Sequence, residues 1–104
     1  MLVLVWAAPA LAQKSEVDKD AARALVQRGD SLRQQGKFRG ALEAYQGADK
    51  IMGVPTTAIE VARMHLKLNH LVEAFESFRK AAMYPRKPGE PAPFTRARDE
   101  AARQ

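Results

Sequence analysis

Apolar positions recur along this chain at helical spacing, and they do so in two matching copies. Gly36 to Ala48 (GKFRGALEAYQGA) returns thirty-three residues later as Asn69 to Ala81 (NHLVEAFESFRKA). Phe38 corresponds to Leu71, Ala41 to Ala74, Leu42 to Phe75, Glu43 to Glu76, Tyr45 to Phe78 and Ala48 to Ala81. Within each copy the alanines and large residues fall at i, i+3/i+4 and i+7, so that a neighbouring helix can approach over the alanines while the rings fill the space beside them. Self-similarity at a fixed period of this size marks an array of helical repeats.

The same periodicity predicts the individual elements. A first helix opens near Ser15 or Asp18, either of which can cap it, and carries Val17, Ala21, Ala24, Leu25, Gly29 and Leu32 on one stripe until Gly36 ends it in the left-handed conformation. A second runs from about Phe38 to Met52 and stops at Gly53 and Pro55; its Ala44 falls on the face expected to be exposed. Thr56 and Thr57 are expected to open the third, with Thr57-Ala-Ile-Glu60 in capping-box form, and Asn69 is expected to take the left-handed turn position. A fourth helix, about Leu71 to Tyr84, ends at Pro85. Pro85 to Pro93 holds four prolines in nine residues, which reads as an extended linker leading to a last helix, capped by Thr95, that reaches Gln104.

Laid on individual positions, this pattern resembles the tetratricopeptide repeat. Gly29, Gly36, Phe38, Ala41, Tyr45 and Ala48 stand where that family wants its small, turn, large, small, aromatic and small residues, and Ala62, Asn69, Leu71, Ala74, Phe78 and Ala81 do so again. The match covers about residues 22–85. Leu25 and Ala58 stand where the family often has tryptophan, Gly53 stands for the inter-repeat proline, and the period is one residue short. The resemblance implies an all-α fold of two antiparallel helix-turn-helix repeats, about 22–54 and 55–85, forming a short right-handed solenoid. The domain would span 13–85, followed by a proline-rich linker over 86–94 and a C-terminal helix over 95–104.

The start of the chain has a different character. Met1 to Ala12 (MLVLVWAAPALA) is apolar and uncharged, is too short to span a bilayer, and ends in Ala10-Leu11-Ala12, a small-x-small site of the kind signal peptidase cuts. The expectation is a signal peptide over 1–12, cleaved before Gln13, and a chain exported to the periplasm or cell envelope. The cationic residues normal before such a segment are missing, which leaves two alternatives: a true start upstream of Met1, or a buried N-terminal segment.

Composition narrows the chemistry. The net charge of +5 is spread in alternating signs (Lys19, Asp20, Arg23; Arg28, Asp30, Arg33), and the aromatic residues sit on apolar faces away from the basic ones, so nucleic-acid binding is not expected. There is no cysteine, hence no disulfide framework. His65 and His70 with Glu60 and Glu73 could suggest a metal, but a spacing of five takes the two histidines off a common helical face. Ser15, Ser31 and Ser77 sit in ordinary helical or capping contexts, and the glycines are spaced as turn and packing residues. Neither an enzyme, a metal site nor a cofactor is therefore expected. Pro85-x-x-Pro88 and Pro88-x-x-Pro91 have the spacing that polyproline-binding modules read, yet a linker is the better reading.

What the resemblance implies for function is a concave groove lined by the first helix of each repeat. The positions that would face it are Arg23, Val26, Asp30, Arg33 and Gln34, then Thr56, Ile59, Arg63, Leu66 and Lys67. Four of these ten are cationic and one is acidic, which favours a protein or peptide partner of acidic and partly apolar character, set against the alternative of a merely solvated face. Val26 and Asp30 stand where the family's terminal-carboxylate clamp would be, so chaperone-tail binding is not implied. The expected function is a non-enzymatic interaction module, a scaffold or adaptor. The alternative is the N-terminal repeats of a larger envelope protein whose activity lies elsewhere. Two repeats fall short of the three that usually stabilise a solenoid, so apolar surface around Phe75 and Phe78 is expected to be only weakly covered, with self-association as one consequence.

Overall fold

The computed structural model describes residues 15–104. The expected signal peptide, 1–12, lies outside the described residues. Five helices form them, with no strand: α1 (Glu16–Gln34), α2 (Phe38–Met52), α3 (Pro55–Lys67), α4 (Leu71–Met83) and α5 (Ala92–Ala102). None is long and apolar enough to cross a membrane. α1 pairs with α2 and α3 with α4; α3 also lies against α2, and α5 against α3 and α4.

Local chemistry sets most of the boundaries. The Ser15 hydroxyl accepts the Asp18 amide at 3.0 Å, and Glu16 and Asp18 sit at the positive end of the α1 dipole. At the other end Gly36 takes φ 74°, its amide donating to the Arg33 carbonyl at 2.9 Å and the Lys37 amide to that of Leu32 at 2.8 Å. The second copy repeats this closure: Asn69 takes φ 63°, its amide donates to Leu66 at 3.0 Å, and the His70 amide donates to His65 at 2.8 Å. Only glycine and, at modest cost, asparagine enter that region readily, so the two turns match in geometry as well as in spacing.

Three expectations are corrected. α3 starts at Pro55, which needs no amide partner in a first turn, and Thr57 is its third residue. The Thr57 hydroxyl accepts the Val54 amide at 3.3 Å and donates to Asp49 Oδ1 at 2.7 Å; it forms no box with Glu60. α5 starts at Ala92, with Pro93 again tolerated in the first turn, and Thr95 caps nothing: its hydroxyl donates to Glu90 at 2.5 Å. Ala44 is buried, because α2 is packed by α1 on one side and α3 on the other, which widens its hidden arc.

The core lies in two clusters that α3 joins. Ala41, Leu42 and Tyr45 of α2 meet Val61 and Met64, with Val26, Leu32, Phe38 and Leu68 around them. Ala58, Ile59 and Ala62, from the other side of α3, meet Ala74, Phe78 and Ala81 of α4 and Ala97 and Ala101 of α5. The proline segment is anchored, not a free spacer. Arg98, 4% exposed, donates to the Tyr84 carbonyl at 2.7 Å, to that of Pro85 at 3.1 Å, and to both oxygens of Glu90 at 2.7 and 2.8 Å.

Candidate functional site

α1, α3 and α5 border one open trough of about 390 Å³. Six of the ten expected groove residues line it: Val26, Asp30 and Arg33 from α1, and Thr56, Ile59 and Arg63 from α3. Ile59 is buried and forms part of the floor, while Val26 is half-buried on the wall. The remaining four lie elsewhere. Arg23 pairs with Asp20 at 3.0 Å beside a neighbouring depression, and Gln34 is exposed at the end of α1. Leu66 belongs to a small apolar hollow with Leu71, Phe75, Phe78 and Gln104, and the Lys67 ammonium lies 5.7 Å from the centre of the Phe38 ring.

All the charges of the trough but Arg96 are committed to hydrogen-bonded or ionic partners. Glu60 accepts from Arg33 at 3.1 Å and from Arg63, and Arg63 donates onward to Glu100 at 2.6 Å, a chain that ties α1, α3 and α5 together. Burial works against the Arg63 charge, and the carboxylates of Glu100 and Glu60 more than offset it, so its affinity for the proton is raised. Asp30 accepts the Tyr45 hydroxyl at 2.5 Å; burial first, and this hydrogen bond second, push that phenol far above its ordinary range. Of the ten expected positions, only Arg33, Arg63 and Asp30 bring charge to the trough, and their cationic excess is offset by Glu60 and Glu100, which are not among the ten. Arg96 of α5 lines the same trough, is exposed, and has no ion-pair partner among the described residues.

The repeat pattern does not reach the α5 wall, Pro93, Arg96, Ala97 and Glu100, because α5 lies outside the two copies and starts at Ala92, three residues before the expected C-terminal segment. Glu60 was within reach, since Glu60 and Arg63 form an i, i+3 pair on α3.

The two histidines also differ from expectation. They do not share a helical face, yet the α3–α4 turn brings their Nδ1 atoms to 3.1 Å, with ring centres 5.4 Å apart. Burial, and then the neighbouring His70, hold His65 below the ordinary histidine value, against a smaller opposing effect of Glu73. No group of three or more metal-ligating side chains gathers among the described residues. A hydrogen bond between two imidazoles needs one donor and one acceptor, so the pair is compatible with at most one proton in excess of neutrality. Comparison with protein-family models, with characterised proteins and with solved structures finds no match for this chain.

Proposed function

We propose that this chain is a non-enzymatic protein-interaction module of the tetratricopeptide type, two helix-turn-helix repeats in a short right-handed solenoid closed by α5, and that the trough between α1, α3 and α5 receives a segment of a partner protein. The observation that carries this reading is that three helices distant in sequence present one open trough holding six of the ten positions picked by the repeat pattern. Its walls carry Arg33, Arg63 and Arg96 against Asp30, Glu60 and Glu100, so the favoured partner segment is mixed in charge and not strongly acidic. Peptides selected from a random library against the full chain test the proposal by fluorescence anisotropy. Val26→Glu and Arg96→Glu should each weaken the selected peptides about tenfold or more, the size of a lost interface anchor. Peptides that bind both variants as well as the parent would count against the trough.

A second reading, repeats serving a larger envelope protein, is favoured by the hollow at Leu66, Leu71 and Phe75. Leu42 is 7% exposed beneath Val61 and Met64, whereas its counterpart Phe75 is 63% exposed. A marked rise in melting temperature when a further helix follows Gln104 would favour this reading, and no change would count against it. Export is proposed on the character of Met1 to Ala12; a mature terminus at Gln13 supports it, and an intact Met1 in a cytoplasmic fraction opposes it.

A further inference from the structure

The outward face of α4 is unlike that of α2, although the two helices are copies. In α2 the four most outward positions are Arg39, Glu43, Gln46 and Lys50, all exposed and all polar. Thirty-three residues later the same positions hold Val72, Glu76, Arg79 and Met83, so apolar residues replace the two outer charges. Val72 and Met83 are each 68% exposed. Glu76 and Arg79 between them are exposed and have no ion-pair partner among the described residues. The order along the stripe is apolar, acidic, basic, apolar. Such a stripe is complementary to itself when a second copy is turned end for end.

We propose that this face pairs with the same face of a second copy of the chain, α4 against α4 in antiparallel orientation. A two-fold axis passing between positions 77 and 78 sets Val72 against the second copy's Met83 and Glu76 against its Arg79, each contact occurring twice. A symmetric interface uses one patch for both partners, which requires this kind of self-complementarity. Antiparallel packing also opposes the two helix dipoles and places the acidic first half of α4, with Glu73 and Glu76, beside the basic second half. The surface lies on the opposite side of α4 from Ala74 and Ala81, which are buried against α3 and α5, so pairing leaves the trough open. Two helices of thirteen residues bury less than a stable obligate dimer does, and the dimer is accordingly weak and concentration-dependent.

Sedimentation equilibrium on the full chain over a wide concentration range tests this. The parent should reach a monomer–dimer equilibrium. Glu76→Arg and Arg79→Glu should each weaken dimerisation about tenfold or more by placing like charges across the axis, while Glu76→Arg combined with Arg79→Glu should restore it. All four positions are exposed, so far-UV circular dichroism should show the same helix content in every variant. Because the chain has no cysteine, Val72→Cys and Met83→Cys chains can also be mixed under oxidation. They should cross-link to each other in preference to themselves, since like positions on the two copies are roughly 16 Å apart along the axis. A parent that stays monomeric, association untouched by both single charge changes, or self-linking of Val72→Cys chains as ready as mixed linking would each overturn the proposal. Association that is lost on Phe75→Ser yet indifferent to positions 76 and 79 would also overturn it, moving the contact to the hollow at the end of the array.

Discussion

Gly29 and Tyr45 meet at a contact that no larger pair could make. A Cβ on Gly29 would lie 2.6 Å from the Tyr45 ring, which is fully buried and cannot swing away while its hydroxyl is held by Asp30. Gly29→Ala should therefore cost about 1–3 kcal/mol by overpacking, measured by denaturant unfolding. Gly40→Ala is the contrast, since its Cβ would meet the Leu32 Cδ1 at 3.2 Å, the far end of a flexible side chain, and alanine favours the helix; a change within about 1 kcal/mol is expected. Gly29 could be read from the sequence as a small residue of the repeat. Its partner's hydroxyl could not be placed: the second copy has Ala62 with Phe78, lacks the phenol, and has Arg63 where Asp30 stands.

At the scale of elements, the loop between α4 and α5 shows how far side chains can override a composition. Four prolines predict extended backbone and nothing about its attachment. Attachment comes from Arg98 and Glu90, eight residues apart, which converge only because α5 begins at Ala92. Hydrogen bonds from Arg98, then from Thr95, pull the Glu90 carboxyl down to about 2. A carboxyl held below its unfolded value lends stability above the ordinary glutamate range and loses it as pH falls from about 4.3 toward 2. Protection of α5 amides from hydrogen exchange should fall across that window, and Glu90→Gln should lower it at neutral pH while removing the dependence. The α3–α4 turn adds a second window. His65 is held below the ordinary value, so its contribution is intact above about pH 6.5 and declines as pH drops through the folded value. Melting temperature should fall between pH 7.5 and 5, and His70→Asn, which removes the second imidazole, should flatten that slope; an unchanged slope would mean that burial of His65, and not its neighbouring ring, sets it. The turn at Asn69 was legible in the sequence; the meeting of the two rings across it was not, because sequence spacing speaks for residues on one helix and not for two joined by a turn.

Over the whole molecule, the repeat period carried the all-α arrangement of α1 to α4, since their apolar faces are fixed by local spacing alone. What it could not carry was the neighbour of each outer face. Its position on an isolated helix predicts exposure for Ala44, and it is buried because α2 has helices on two sides. The trough was legible in its α1 and α3 walls and not in α5, whose packing residues, Ala97 and Ala101, are too small to stand out. Ala41→Leu, Ala74→Leu and also Ala44→Leu are therefore each expected to cost about 1–3 kcal/mol. α3 is the helix common to both clusters, contributing Val61 and Met64 to one and Ala58, Ile59 and Ala62 to the other. A helix that supplies both sides cannot leave one cluster without opening the other, so residues 15–104 should unfold in a single transition. Met64→Ala, in the α1–α2 cluster, should lower that transition by about 2–5 kcal/mol, and Phe78→Ala, in the α4–α5 cluster, by about 3–5 kcal/mol. Calorimetry and hydrogen exchange read the outcome: both variants should shift every helix together, and a Phe78→Ala chain that loses α4 and α5 while α1 and α2 keep their protection would show that α3 does not couple the two halves.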